Sequence, residues 1–152
     1  MESFLKDCYK LLRPSGTLVV IDVDASLWGA AVPSISTFEV LYRKMEIFQN
    51  MQGGNRMVGR KLIPLLNGLS SENARLETFT YHSGDIGIEP FRSQLNPDRL
   101  YRAAKAGIIK PNELLVAEVE MESFINNPEA FVIMLGFMGL LTRRDNDESV
   151  SR

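Results

Sequence analysis

The chain has 152 residues, 45% of them hydrophobic, with one cysteine and a formal net charge of -2. That is material for one domain with its own core, and it lacks the positive field that displaces counterions from phosphates, so nucleic acid is not an expected partner. Cys8 stands alone and cannot close an internal disulfide, no signal-peptide pattern opens the sequence, and the longest apolar run, Phe131 to Leu141, falls well short of the ~20 residues that span a bilayer. The expectation is a soluble, cytoplasmic protein with no membrane partner.

Phe4, Leu5, Cys8, Leu11 and Leu12 recur at helical spacing opposite Glu2, Lys6, Asp7 and Lys10, which predicts an opening helix with Cys8 as a buried structural thiol. Pro14 ends that helix, and Gly16 suits the positive φ of a helix exit. Leu18 to Ile21 then runs without polar alternation and closes on Asp22 and Asp24. Such a run predicts an inner strand of a parallel sheet, covered on both faces. The following loop, Ala25 to Pro33, holds the only tryptophan, Trp28. Loops beyond the carboxyl ends of parallel strands are where ligands sit, so Asp22, Asp24 and Trp28 are candidate substrate-binding residues. The plainer alternative is a solvated strand end with a packing tryptophan.

Ser36-Thr37-Phe38-Glu39 has capping-box spacing and opens a helix to about Gln52, striped by Phe38, Leu41, Tyr42, Met45, Phe48 and Met51. Leu62, Leu65, Leu66 and Leu69 stripe the next helix, and Pro64 lets it begin no more than about one turn earlier. Gly59 and Arg60 therefore fall near a helix N-terminus, where Arg60 suits a carboxylate or another anionic substrate group. The alternative is an exposed arginine that fixes the loop. Ala74 to His82 reads as a strand, ending on the only histidine. His82 is a candidate general base or a loop histidine without chemistry, and one histidine with one cysteine gives no metal site.

Asn96-Pro97-Asp98 starts a helix running to Gly107, and Lys110-Pro111-Asn112-Glu113 starts another that stops at Asn127-Pro128. Phe131 to Leu141 reads as a buried strand that Gly136 and Gly139 weaken and bulge. Asp145 to Arg152 reads as a disordered polar tail.

Two stretches carry a resemblance. Leu11-Leu12-Arg13-Pro14-Ser15-Gly16 with its apolar strand and acidic end resembles the segment entering the fifth strand of class I S-adenosylmethionine-dependent methyltransferases, typically helix, "LKPGG", strand, acid. Ser15-Gly16 stands in place of the glycine pair. Gly59-Arg60-Lys61-Leu62-Ile63-Pro64-Leu65-Leu66, closing on Asn67-Gly68-Leu69, resembles the "GR-x-L-P-x-L-L" segment that closes on "AGF" in small-molecule members. The order helix, strand, helix, helix, strand, helix, helix, strand matches the second half of that family over residues 2 to 144.

The resemblance implies an α/β fold: a partial Rossmann-like methyltransferase sheet of about three strands, the last antiparallel, in one domain over 1–144. Insertions at 33–52 and 96–127 would form a helical lid. It implies S-adenosylmethionine as cofactor and a small-molecule acceptor, with Arg60 anchoring substrate, Asp22 and Trp28 lining the pocket and His82 at most taking a proton. The departure is the donor site, since no G-x-G-x-G loop follows a strand and Gly53-Gly54 lies between helices. No cofactor-binding residue can be named. The strand at 17–23 also lacks the neighbour it needs, and an open edge templates pairing with a second chain or a homo-oligomer. Two alternatives stand beside the enzyme reading: a truncated, inactive relative acting as a binding or scaffold subunit through that edge, and an unrelated α+β ligand-binding domain with its first strand at a sheet edge.

Overall fold

The structure is a computed structural model; it describes residues 1–27, 29–71, 73–96 and 98–144, without the side chains of Phe38, Glu39 and Arg99. Trp28, the Glu39 half of the expected capping box and the 145–152 tail lie outside the described residues.

The fold is mixed α/β, with helices around an open four-stranded sheet. In chain order the elements are α1 (Glu2–Lys10), β1 (Thr17–Asp22), β2 (Gly29–Val32), α2 (Ser36–Met51), α3 (Leu62–Asn67), β3 (Arg75–His82), α4 (Ser83–Ile86), α5 (Glu89–Leu95), α6 (Asp98–Lys105), α7 (Pro111–Ile125) and β4 (Phe131–Thr142). Every other strand pairs with β4. β1 runs antiparallel to it from Thr17↔Thr142 to Asp22↔Phe137, and β2 from Gly29↔Met134 to Val32↔Phe131. β2, α4 and α5 occupy stretches without an expected element.

This corrects the reading of β1 as an inner parallel strand. β1 is an edge strand with an antiparallel partner, and its side chains alternate between half-buried and exposed. Leu18 and Val20 turn inward, while Val19 and Ile21 are 47% and 60% exposed. An unbroken apolar run satisfies two covered faces but does not itself supply the second cover.

The described residues fall into two compact units. The first comprises 1–26, 57–79 and 136 onward. Its core brings Tyr9, Leu66 and Leu141 together with Leu12, Leu18, Val20, Leu69 and Ala74, so α1 and α3 pack on the inward side of β1 and β4. Leu5 and Tyr9, four apart, make the buried row of α1; Cys8 is only half-buried and Phe4 is exposed, which corrects the expected face. The turn into β1 also differs from expectation. Ser15, not Gly16, takes the left-handed conformation, at φ 60°. Gly16 is needed for space, because a Cβ there would lie 2.8 Å from the Arg13 carbonyl oxygen. Arg143 ties the turn down by donating to the carbonyls of Lys10 and Leu12 at 3.0 and 2.8 Å.

Gly139 marks a close approach rather than a bulge, whereas at Gly136, between the stretch paired with β2 and the stretch paired with β1, the alternation along β4 slips by one residue, with Gly136 and Phe137 both buried. The β1–β4 ladder passes unbroken through Val20↔Gly139. A Cβ at Gly139 would meet the Leu66 side chain at 2.7 Å, and one at Gly136 would meet the Phe79 ring at 2.3 Å.

The second unit comprises 27–56 and 80–135. Leu41, Met45 and Phe48 of α2 pack with Leu100, Ala103, Ile109, Leu114 and Ala117, so the two expected lid segments share one core. A second cluster joins Ile35, Phe91, Leu95, Met121, Phe124, Val132 and Met134, with Tyr81 stacked on Phe91 at 5.5 Å. Glu113 caps the start of α7 from within: Lys110 N–H donates to Glu113 Oε2 at 2.8 Å, and Lys44 Nζ donates to the same carboxylate at 2.6 Å. These donors hold the Glu113 carboxyl below its usual range, the Lys44 hydrogen bond contributing most. At α2, by contrast, Ser36 is the first helical residue and no side chain of its own caps the helix. Glu120 of α7 supplies the acceptor instead, taking the Thr37 N–H at 3.1 Å.

Candidate functional site

The charged centre of the first unit is built where the chain leaves β1. Asp22, the last strand residue, turns its carboxylate back on the chain and accepts the Val23 N–H at 2.7 Å. Two residues on, Asp24 is fully buried. Its Oδ1 accepts from Ser26 N–H at 3.0 Å, Ser26 Oγ at 2.7 Å and Arg60 Nη2 at 2.9 Å, and its Oδ2 accepts from Arg60 Nε. Arg60 thus holds the carboxylate with two parallel donors, the geometry that makes guanidinium–carboxylate pairs directional. Its Nη2 also reaches Ser26 Oγ.

The backbone that carries Arg60 is drawn in by an antiparallel bridge between Asp24 and Met57 and by a Gly59 N–H bond to the Val23 carbonyl at 3.1 Å. Gly59 permits this approach, since a Cβ there would lie 2.7 Å from the Phe137 ring and 3.1 Å from Asp24 N. The Gly59-Arg60 pair in the sequence thus has two physical roles: space for the bridge, then a cation for the buried acid.

The Arg60 hydrogen bond, helped by those from Ser26 and opposed by burial, holds the Asp24 carboxyl down at about 2 from an ordinary value of 3.8. Asp24 is therefore ionised at neutral pH, with its acceptor sites filled. It serves as a fixed counter-charge that orients Arg60, whose side chain is 49% exposed, and not as a proton carrier.

Of the expected site residues, the structure brings Asp24 and Arg60 together as partners and leaves Asp22 half-buried at the end of β1. His82 belongs to the second unit. Its Nε2 lies 3.1 Å from Asp85 Oδ2, and its ring leans on Phe131 at 5.5 Å. Its Nδ1 is buried without a hydrogen-bond partner, 3.0 Å from where a Cβ of Gly84 would sit. Ser26 was not among the expected residues; the Asp24-Ala25-Ser26 spacing, which favours a side chain closing on its own backbone two residues on, is the signal that marks it.

Among the described residues no group of three or more His, Cys, Asp or Glu side chains could hold a metal ion, and no helix is long and apolar enough to cross a membrane. A cavity of about 380 Å³ lies in the second unit, with Arg92, Glu118 and Glu122 on its walls and Met121 and Ile125 among its lining. The cradle for S-adenosylmethionine that the resemblance implies does not fit these residues. Of the described glycines with positive φ, Gly53, Gly87 and Gly107 each follow a helix and Gly29 lies at the start of β2, so none opens a glycine-rich turn after a strand. No protein-family model matches the chain, and no curated protein matches it.

Proposed function

We propose that this is a methyltransferase-like protein: the acceptor side of an S-adenosylmethionine-dependent transfer of a methyl group to a small molecule, working in the cytoplasm with the donor side contributed at the β1 edge by a further chain. The observation that carries the reading is the sheet topology. The strand entered from the Leu11–Gly16 turn takes the last strand, β4, as an antiparallel neighbour, and β3 pairs with that same last strand. α1 and α3, which precede and follow β1, pack on its inward side. An antiparallel last strand beside the strand that follows this turn is what the resemblance implies for the second half of a Rossmann-like class I sheet, and it supports the reading. The shared core of α2, α6 and α7 supports the lid part of the reading.

In this reading the chain's own residues position rather than react. The Asp24–Arg60 pair fixes the loop beyond β1 and sets a half-exposed guanidinium there. The partner is drawn by the bare β1 edge, where backbone donors and acceptors adjoin the exposed Val19 and Ile21.

The test is titration calorimetry with S-adenosylmethionine, first on the chain alone and then on the complex it forms through β1, followed by transfer of a labelled methyl group. The reading expects no heat from the chain alone and micromolar binding by the complex. A complex that neither binds the donor nor transfers the label overturns it. That outcome leaves the second reading, a non-catalytic binding or scaffold subunit, which the missing glycine loop favours.

A further inference from the structure

Helix α7 has two apolar faces. Leu114, Ala117, Met121 and Phe124 fill the core of the second unit. On the other side Leu115, Val116 and Val119 are 61%, 48% and 61% exposed. Leu115 and Val119, four apart, form one row. Helix α2 continues this surface. The Lys44–Glu113 ion pair and the Thr37–Glu120 hydrogen bond fix α2 antiparallel beside α7 and bring Val40, which lies between them, level with Val116. Val40 is 53% exposed, and Ile47, two helical turns on, is 55% exposed. Two helices thus present a shared aliphatic surface where helices normally place polar side chains.

On α7 the charge beside that surface is of one sign, while on α2 Arg43 and Lys44 stand between Val40 and Ile47, Lys44 being paired with Glu113. All four charged residues of α7 are glutamates: Glu113, Glu118, Glu120 and Glu122. Glu118 and Glu122, one turn apart, flank the Leu115–Val119 row and stand on the wall of the 380 Å³ cavity. The cation there, Arg92, already has its Nε held by both Glu89 oxygens at 3.0 Å. One cation, itself held by Glu89, against the two lining carboxylates leaves the cavity negative; Glu118 also accepts from the Tyr101 hydroxyl, and the apolar side chains of Met121 and Ile125 lie beside the carboxylates. Aliphatic walls near paired carboxylates suit a lysine, which buries its methylenes and keeps its ammonium beside the charge.

We propose that the outer face of α7, with Val40 and Ile47 of α2, docks a basic amphipathic helix of a partner protein. Its apolar row lies on Leu115, Val116 and Val119, and one of its lysines enters the cavity between Glu118 and Glu122. Acidic flanks on an aliphatic stripe select this occupant over an acidic helix. The site stands independently of the methyl-transfer reading.

The test uses the full chain and a fluorescently labelled peptide of leucine and lysine at helical spacing, about five turns long, with a leucine–glutamate peptide as control. Fluorescence anisotropy is expected to give a micromolar Kd for the lysine peptide, weakening several-fold between low and physiological salt, and at least tenfold weaker binding for the control. Leu115→Ser with Val119→Ser, and separately Glu118→Gln with Glu122→Gln, should each weaken the lysine peptide about tenfold. All four side chains lie on the solvent side of α7, and circular dichroism checks that the variants fold. Equal binding of both peptides, no binding, or unchanged affinity in both variants overturns the proposal. So does self-association of the wild-type chain that the Leu115 and Val119 substitutions abolish, because the occupant would then be a second copy.

Discussion

Among the described residues the second unit gathers seven and eight buried side chains into two clusters, whereas the first unit's cluster holds three, Tyr9, Leu66 and Leu141, with Leu5, Val58, Leu62 and Phe137 buried outside it. The first unit is not poorer in apolar side chains. Both units leave some of them in water, but in the first they lie along the sheet itself: Val19, Ile21 and Val23 at β1 are 47%, 60% and 41% exposed, whereas the exposed Leu115, Val116 and Val119 of the second unit lie on the far side of a helix whose other face is fully packed. In the second unit α2, α6 and α7 each present a face to the others, so each supplies the cover its neighbours need. In the first unit α1 and α3 lie on the same inward side, and the other face of β1 leaves Val19 and Ile21 about half exposed. The difference teaches that an apolar sequence states a demand for burial, while the topology decides whether the same chain meets it.

The largest effect is expected inside the second unit. Phe91 is 1% exposed and stacked on Tyr81, and Phe91→Ala should lower stability by about 3–5 kcal/mol in chemical denaturation. Next comes the buried acid of the first unit. Because the folded pKa of Asp24, about 2, lies below its ordinary 3.8, its contribution is present above about pH 4 and is lost as pH falls toward 2. The upper bound of that contribution is about 2.5 kcal/mol. Asp24→Asn should remove it and flatten the acid limb of a stability-against-pH curve. Smaller and opposite in sign, Ser15→Gly relieves a left-handed residue at φ 60° and should stabilise by roughly 0.5 kcal/mol after the entropy of glycine is subtracted. The smallest shift is expected on the bare face, where Ile21→Thr should change stability by no more than about 0.5 kcal/mol despite the apolar pattern around it. A large loss from Ile21→Thr would erase the contrast between the units.

What was legible in the sequence follows the same division. The long helices at Ser36–Met51 and Pro111–Ile125 and the strand at Phe131–Thr142 were readable because periodicity, Pro111 at a helix start and an unbroken β-branched and aromatic run are local signals. β2, with Gly29-Ala30-Ala31-Val32, carries no such pattern and exists because β4 offers it an edge. The parallel, doubly covered reading of β1 failed because pairing with residues over a hundred positions away is invisible to a local pattern. Gly139 misled for a related reason: it accommodates Leu66, which comes from another element. At the candidate site, Asp24 and Arg60 were each visible as residues, but their pairing depends on the Gly59 approach to Val23, a tertiary event.

The account turns on β1 as a strand awaiting cover, and the mass of the chain in solution tests that most directly. Sedimentation of the wild-type protein over a hundredfold concentration range, beside a Val19→Lys/Ile21→Lys variant, separates the outcomes. The account predicts that the wild-type chain, without another partner, associates through this edge and face, and that the variant sediments as one chain with its stability little changed. A wild-type chain that stays single over the whole range, indistinguishable from the variant, would contradict it.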